Sequence, residues 1–184
     1  MNNPAFIIDG FTEKKIVQEL CPGQPVRRTD LNGKSVTIDA IAKKIAPLIR
    51  SLGNKYYPII ILIDKEERSL GYDEIANQLY DKLIQEGISD QDIRVSVADR
   101  MIENWIIADW EQLNGSLTGK PKNTEGISGS SQIKKVKGSY DKIIDGSELF
   151  VNARQELIYK NSPSYRFFIN QLHDINCNYL KFEK

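Results

Sequence analysis

Histidine and cysteine are nearly missing from this chain. His173 is the single histidine, and Cys21 and Cys177 are the only thiols among 184 residues. One histidine excludes HExxH chemistry and histidine-rich metal centres. Two cysteines far apart, in no CxxC spacing, argue against a cysteine zinc site and more strongly against a disulfide framework. Two unpaired thiols suit a reducing compartment. Net charge is missing too: 25 basic residues balance 25 acidic ones, so no global field draws the chain to nucleic acid or anionic lipid. Any attraction to a polyanion must be local. The longest strongly apolar run, Ile59 to Ile63, is far below a membrane span, and the apolar stretch opening the chain ends at Asp9, too short for a signal h-region. Together these absences lead us to expect a cytoplasmic protein with no membrane contact.

What is present is ordinary globular material, 40% hydrophobic and 27% charged, at a length that suits a single domain spanning residues 1–184. Its first 115 or so residues, the expected core, alternate short apolar runs with helical periodicity. Ala5–Ile8 is a compact run, with Thr12 placed to cap a helix carrying Ile16, Val17 and Leu20. A polar stretch containing Asn32-Gly33 follows. Thr37 then caps a helix with Ile38, Ile41, Ile45 and Ile49 in register, which Pro47 should kink or divide. Ile59–Ile63 is apolar at every position, the pattern of a strand covered on both faces of a parallel sheet. An amphipathic helix near Tyr72–Glu86, a third strand at Ile93–Ala98 and a helix from about Met101 to Leu113 complete a β-α-α-β-α-β-α order. That order predicts an α/β fold built on an open parallel sheet flanked by helices. Residues 114–131, rich in Gly, Ser, Asn and Lys, read as a mobile loop. Residues 132–184 read as a C-terminal helical extension, with Ser162-Pro163 a good helix start.

Each expected strand ends in an aspartate with a second acid close behind: Asp9 and Glu13, Asp64 and Glu66, Asp99 and Glu103. The carboxyl ends of parallel strands share one edge, where open α/β sheets bind ligands. Carboxylates gathered there repel unless a cation sits among them, and hard divalent cations need neither Cys nor His. The composition that excludes zinc thus leaves ample oxygen ligands for Mg²⁺ or Mn²⁺. Singly, Asp9 also reads as a turn residue, Asp99 as a helix cap, and Glu13 and Glu103 as complements to helix dipoles. Between residues 120 and 142 lie six lysines (Lys120, Lys122, Lys134, Lys135, Lys137 and Lys142), a local positive excess able to grip phosphate or simply to face water.

Asp9-Gly10-Phe11-Thr12-Glu13 after one apolar run and Asp64-x-Glu66 after another resemble the TOPRIM arrangement of topoisomerases, primases and OLD-type nucleases. Over nearly its whole length the chain is similar to bacterial TOPRIM-like domains akin to RloB, whose genes often lie beside ATPases in defence loci. The similarity rests also on Glu103-Asn104-Trp105-Ile106-Ile107-Ala108-Asp109 and on Ser162-Pro163-Ser164-Tyr165. The resemblance implies a metal-dependent nuclease acting in phage defence with an ABC- or AAA-type ATPase. In that scheme Asp64, Glu66, Glu103 and Asp99 hold Mg²⁺ or Mn²⁺, Asp9 and Glu13 handle the proton, and Lys134, Lys135 and Lys137 bind phosphate of a nucleic acid substrate. Two side chains depart from the pattern: Asp9 stands where the first motif has Glu, and Glu66 where the second has Asp. Either the exchanged lengths compensate, or the chain is a degenerate module that binds and regulates an ATPase without cutting. A phosphoacceptor receiver domain also carries acids at strand ends, but it wants two adjacent acids after the first strand, which Asp9-Gly10 does not supply.

Overall fold

Period-2 alternation in three buried runs builds the sheet. The computed structural model describes residues 3–31 and 36–177. In it Ala5–Ile8 (β1), Val26–Arg28 (β2), Ile59–Asp64 (β3) and Ile93–Ala98 (β4) form one sheet of order β2-β1-β3-β4, parallel throughout. Every residue of β1 and β3 is buried, as strands covered on both faces must be. Successive side chains point to opposite faces. Phe6, Ile8, Ile60 and Leu62 therefore enter one apolar layer, while Ala5, Ile7, Ile59, Ile61 and Ile63 enter the other.

The second layer is closed by helices α2 (Ile38–Leu52) and α3 (Tyr72–Gln85). Thr37 caps α2 by accepting the Ala40 N–H at 3.2 Å, as its position predicts. Pro47 does not divide this helix: it lies on the exposed face of an uninterrupted α2, where a lost donor costs least. The first layer is covered by α1 (Phe11–Leu20) and by helices that follow β4: α4 (Glu103–Ala108), α5 (Trp110–Asn114), α6 (Gly129–Lys137), α7 (Asp145–Asn152), α8 (Gln155–Asn161) and α9 (Pro163–Gln171). Trp105 is the hub of this layer. Its ring lies 5.0 Å from Tyr165 and 5.3 Å from Phe168, and its indole N–H donates to Ser164 Oγ at 2.9 Å. Phe150, Ile158, Tyr165 and Phe168 thus share one core with Phe6 and Ile60. Among the described residues, no helix is long and apolar enough to cross a membrane.

Further expectations need correction. The one helix expected from about Met101 to Leu113 is broken at Asp109 into α4 and α5. Strand β2 falls in a stretch read as polar, because Val26-Arg27-Arg28 carries one apolar residue and exists through its pairing with β1, Phe6 opposite Val26. The cap of α1 is Gly10 rather than Thr12, since Glu13 folds back to accept the Gly10 N–H at 3.0 Å. The cysteines are joined: Cys21 at the end of α1 and Cys177 form a disulfide, and both are buried. Finally, α6 starts at Gly129, inside the expected loop, and the segment before it is anchored. Trp110 Nε1 donates to the Thr118 carbonyl at 3.0 Å, and Asn104 Nδ2 donates to those of Thr124 (2.6 Å) and Ile127 (2.9 Å). The Asn32-Gly33 pair and residues 178–184 lie outside the described residues.

Candidate functional site

Three of the strand-end acids converge. Glu13, in the first turn of α1, Asp64, the last residue of β3, and Glu103, the first residue of α4, are 1%, 5% and 0% exposed. Local structure explains each placement. Gly10 has no Cβ to obstruct Glu13, whose Oε2 would sit 2.7 Å from one. Asp64 Oδ1 accepts the Ile102 N–H at 3.0 Å, which ties the end of β3 to the start of α4. Glu103 Oε1 accepts the Tyr140 hydroxyl at 3.1 Å, while its Oε2 is buried without a hydrogen-bond partner among the described residues.

The ammonium of Lys142 stands among the three carboxylates, 3.5 Å from Glu13 Oε1, 3.7 Å from Asp64 Oδ2 and 3.7 Å from Glu103 Oε1. Direct charge-assisted contacts run near 2.8 Å, so this ammonium is shared among the carboxylates rather than committed to one. Its backbone is pinned to α1: Thr12 Oγ1 donates to the Lys142 carbonyl and Lys15 Nζ to that of Ile143, both at 2.8 Å. The side chain remains 45% exposed.

Burial governs the protonation of the cluster. It pushes the Asp64 carboxyl well above the usual range. Glu13 and Glu103 repel in the same direction, and Lys142 offsets only part of the rise. Burial likewise raises Glu13, opposed chiefly by Lys142 and reinforced by Glu103 and Asp9. Burial alone would lower Lys142, but Asp64, Glu103 and Glu13 outweigh it and hold the ammonium charged. The cluster is therefore short of positive charge, and protons make up part of the deficit.

The other expected site residues stand outside this group. Asp9 Oδ1 accepts from Thr29 Oγ1 (3.0 Å) and from the Leu31 N–H (2.8 Å), securing the chain beyond β2. Asp99 pairs with Lys65 at 2.9 Å. Glu66 occupies a left-handed turn at φ 57°, and its N–H donates to the Arg100 carbonyl at 2.7 Å. Lys134, Lys135 and Lys137 are exposed in the last turn of α6, where they complement its dipole. Sequence reasoning counted Lys142 as one of six lysines and gave it no separate role. No local signal marks it, because its significance lies in contacts with three distant acids.

The motif segment around Trp105 divides its labour. Glu103 faces the cluster, Trp105 fills the core, and Asp109 clamps α8 by accepting from Arg154 Nη2 at 2.6 Å, Nε at 2.9 Å and backbone N–H at 2.7 Å. Ser162 caps α9 by accepting the Tyr165 N–H at 3.2 Å.

A divalent cation can be tested against these donors. Among the described residues, no three acids stand close enough to hold a metal ion as they are placed. The donor set is nonetheless hard oxygen, a cationic nitrogen stands among the three carboxylates, and one buried oxygen of Glu103 is unclaimed. The residues fit Mg²⁺ or Mn²⁺ in kind, provided the ammonium yields its place. No family model matches the chain, and neither a curated protein nor a solved structure does.

Proposed function

We propose that the chain is a Mg²⁺- or Mn²⁺-dependent nuclease of TOPRIM type. The convergence of buried Glu13, Asp64 and Glu103 at the carboxyl edge of a parallel sheet, short of positive charge, is the observation that carries this reading. Asp64 and Glu103 hold the cation, with Glu66 close enough to Asp64 for its charge to be felt there. A bound divalent cation supplies charge stabilisation on the phosphodiester oxygen and acidifies a bound water. Glu13, whose carboxyl holds its proton above the usual range, gives that proton to the leaving oxygen when protonated, and in its ionised form accepts the proton that the attacking water loses. Asp9 acts on Glu13 through its charge, raising its proton affinity. Tyr140 orients Glu103, and Lys142, half in solvent, swings outward to meet the anionic substrate. Phage defence, an ATPase partner and a cytoplasmic setting belong to the same proposal through the resemblance. In such a setting, burial shields the Cys21–Cys177 bond from soluble reductants.

One observation favours a second reading. Lys142 already brings positive charge to all three carboxylates, as a catalytically silent module that docks on an ATPase would require. Isothermal titration with Mn²⁺, paired with cleavage assays on DNA and RNA, separates the two. The nuclease binds Mn²⁺, cuts, and loses both properties in Asp64→Asn. A chain that neither binds nor cuts is the silent module.

A further inference from the structure

Beside the carboxylate cluster, at the end of β4, lies a cavity of about 400 Å³ lined by Asp99, Lys120, Lys122, Asn123, Glu125 and Asn161, among others. Both acids in this wall are already engaged within the protein. Asp99 pairs with Lys65 at 2.9 Å. Glu125 Oε1 accepts from Ser162 Oγ at 2.5 Å, Ser164 Oγ at 2.6 Å and the Ser164 N–H at 2.8 Å. Lys120 and Lys122, by contrast, form no ion pair among the described residues. Glu125 keeps its negative charge, because its donors are neutral, so Lys120 and Lys122 leave the wall with a net excess of positive charge.

Amide groups stand beside them. Asn161 Nδ2 donates to the Ala108 carbonyl at 2.9 Å, which leaves its Oδ1 to accept, and the Asn123 amide is unengaged among the described residues. Paired ammonium groups recognise phosphate, and carboxamides read the edges of bases or sugar hydroxyls. The volume lies within the range of small-molecule sites and exceeds what a lone anion needs. The wall is also coupled to the carboxylates: Asn104, next to Glu103, donates to the Thr124 and Ile127 carbonyls that carry it. Asp99 follows Ala98, the strand partner of Asp64.

We propose that this cavity binds one nucleotide unit, its phosphate between Lys120 and Lys122 and its base or sugar against Asn123 and Asn161. The inference deepens the nuclease reading by placing the strand beside the cluster, but nucleotide binding here needs no metal. The unit can come from a free mononucleotide or from the end of a single strand.

The test is calorimetric titration of the full chain in EDTA with inorganic phosphate, dAMP and a short single-stranded DNA carrying a 5′-phosphate. Wild type, Lys120→Ala/Lys122→Ala and Asp64→Asn are compared. Loss of two charge-assisted contacts should weaken nucleotide binding by about tenfold or more in the double variant, with Asp64→Asn no weaker than wild type. Equal binding of dAMP and the oligonucleotide identifies a free nucleotide as ligand, and much tighter oligonucleotide binding identifies a strand. Both lysines are exposed, so the variant should melt with wild type, and a lowered melting temperature is controlled by Lys120→Gln/Lys122→Gln. Absence of binding to wild type, equal affinity in the double variant, or phosphate bound as tightly as dAMP overturns the proposal. Nucleotide binding by a wild type that neither binds Mn²⁺ nor cuts supports the cavity and sinks the nuclease reading instead.

Discussion

The Lys142 ammonium stands 3.7 Å from Asp64 Oδ2, and the contact joins the end of β3 to the segment between α6 and α7. That placement makes Lys142 a competitor for any cation the carboxylates bind. Lys142→Met should raise Mn²⁺ affinity and lower stability without metal. Breaking a fully buried pair costs about 3–5 kcal/mol, and a side chain 45% exposed should lose nearer about 2 kcal/mol. Mn²⁺ titration and urea unfolding of the same variant measure both effects. Unchanged affinity would remove Lys142 from the competition.

Stability should fall on both sides of a maximum. Glu13 and Asp64 bind protons more tightly folded than unfolded. Their contribution is complete below the ordinary carboxylate range and is lost as pH rises through the raised folded values. Asp174 behaves oppositely: the Arg94 guanidinium holds it down at about 2, so its contribution is present above the ordinary range and lost as pH falls toward that value. Urea midpoints in EDTA across the acid and neutral range should trace this dome. Because carboxylates must lose protons to hold metal, Mn²⁺ affinity should rise with pH over the neutral side.

Gly129→Ala should destabilise the protein and disturb the site together. A Cβ there would stand 2.7 Å from both the Asn104 nitrogen and the Glu103 carbonyl carbon, where α6 crosses the start of α4. Overpacking against backbone costs about 1–3 kcal/mol. Thermal melting measures that loss, and any Mn²⁺ affinity of the wild type should fall with it because Glu103 must shift. A melting temperature equal to wild type would mean that α6 moves away freely.

Replacing both cysteines with serine should lower stability by up to about 5 kcal/mol, the chain-entropy value for a loop closed across a separation of 156 residues. Urea unfolding with and without dithiothreitol checks this, and the reduced wild type should match the double variant.

Legibility in the sequence followed the range of the contacts. Strands β1 and β3 declared themselves because burial on both faces demands apolar residues at nearly every position, and β4 did so through the alternation of Ile93, Val95 and Val97 with Arg94 and Ser96. Edge strand β2 did not, since Arg27 and Arg28 make its sequence polar and only the pairing with β1 defines it. Gathering Asp64, Glu13 and Glu103 at one edge followed from sheet topology. Which strand-end acids point inward did not: Asp9 turns to Thr29 and Leu31 and Asp99 to Lys65, choices made by loops that carry no periodicity. Lys142 and the Cys21–Cys177 bond are long-range partnerships, and neither residue's local sequence announces a partner.

The bond between Cys21 and Cys177 also decides how the molecule bears force. Strands β2, β3 and β4 lie within the covalent ring it closes, while β1 and α1 lie outside, on the N-terminal side. Tension applied at the two ends bypasses the ring and falls on β1, which is hydrogen-bonded along both edges, to β2 and to β3. Extraction would have to shear two parallel ladders at once rather than peel one. A motor pulling on the C-terminal end would meet a closed loop as soon as it reached residue 177. Reduction of that single bond would convert a mechanically closed body into a chain that threads from either end.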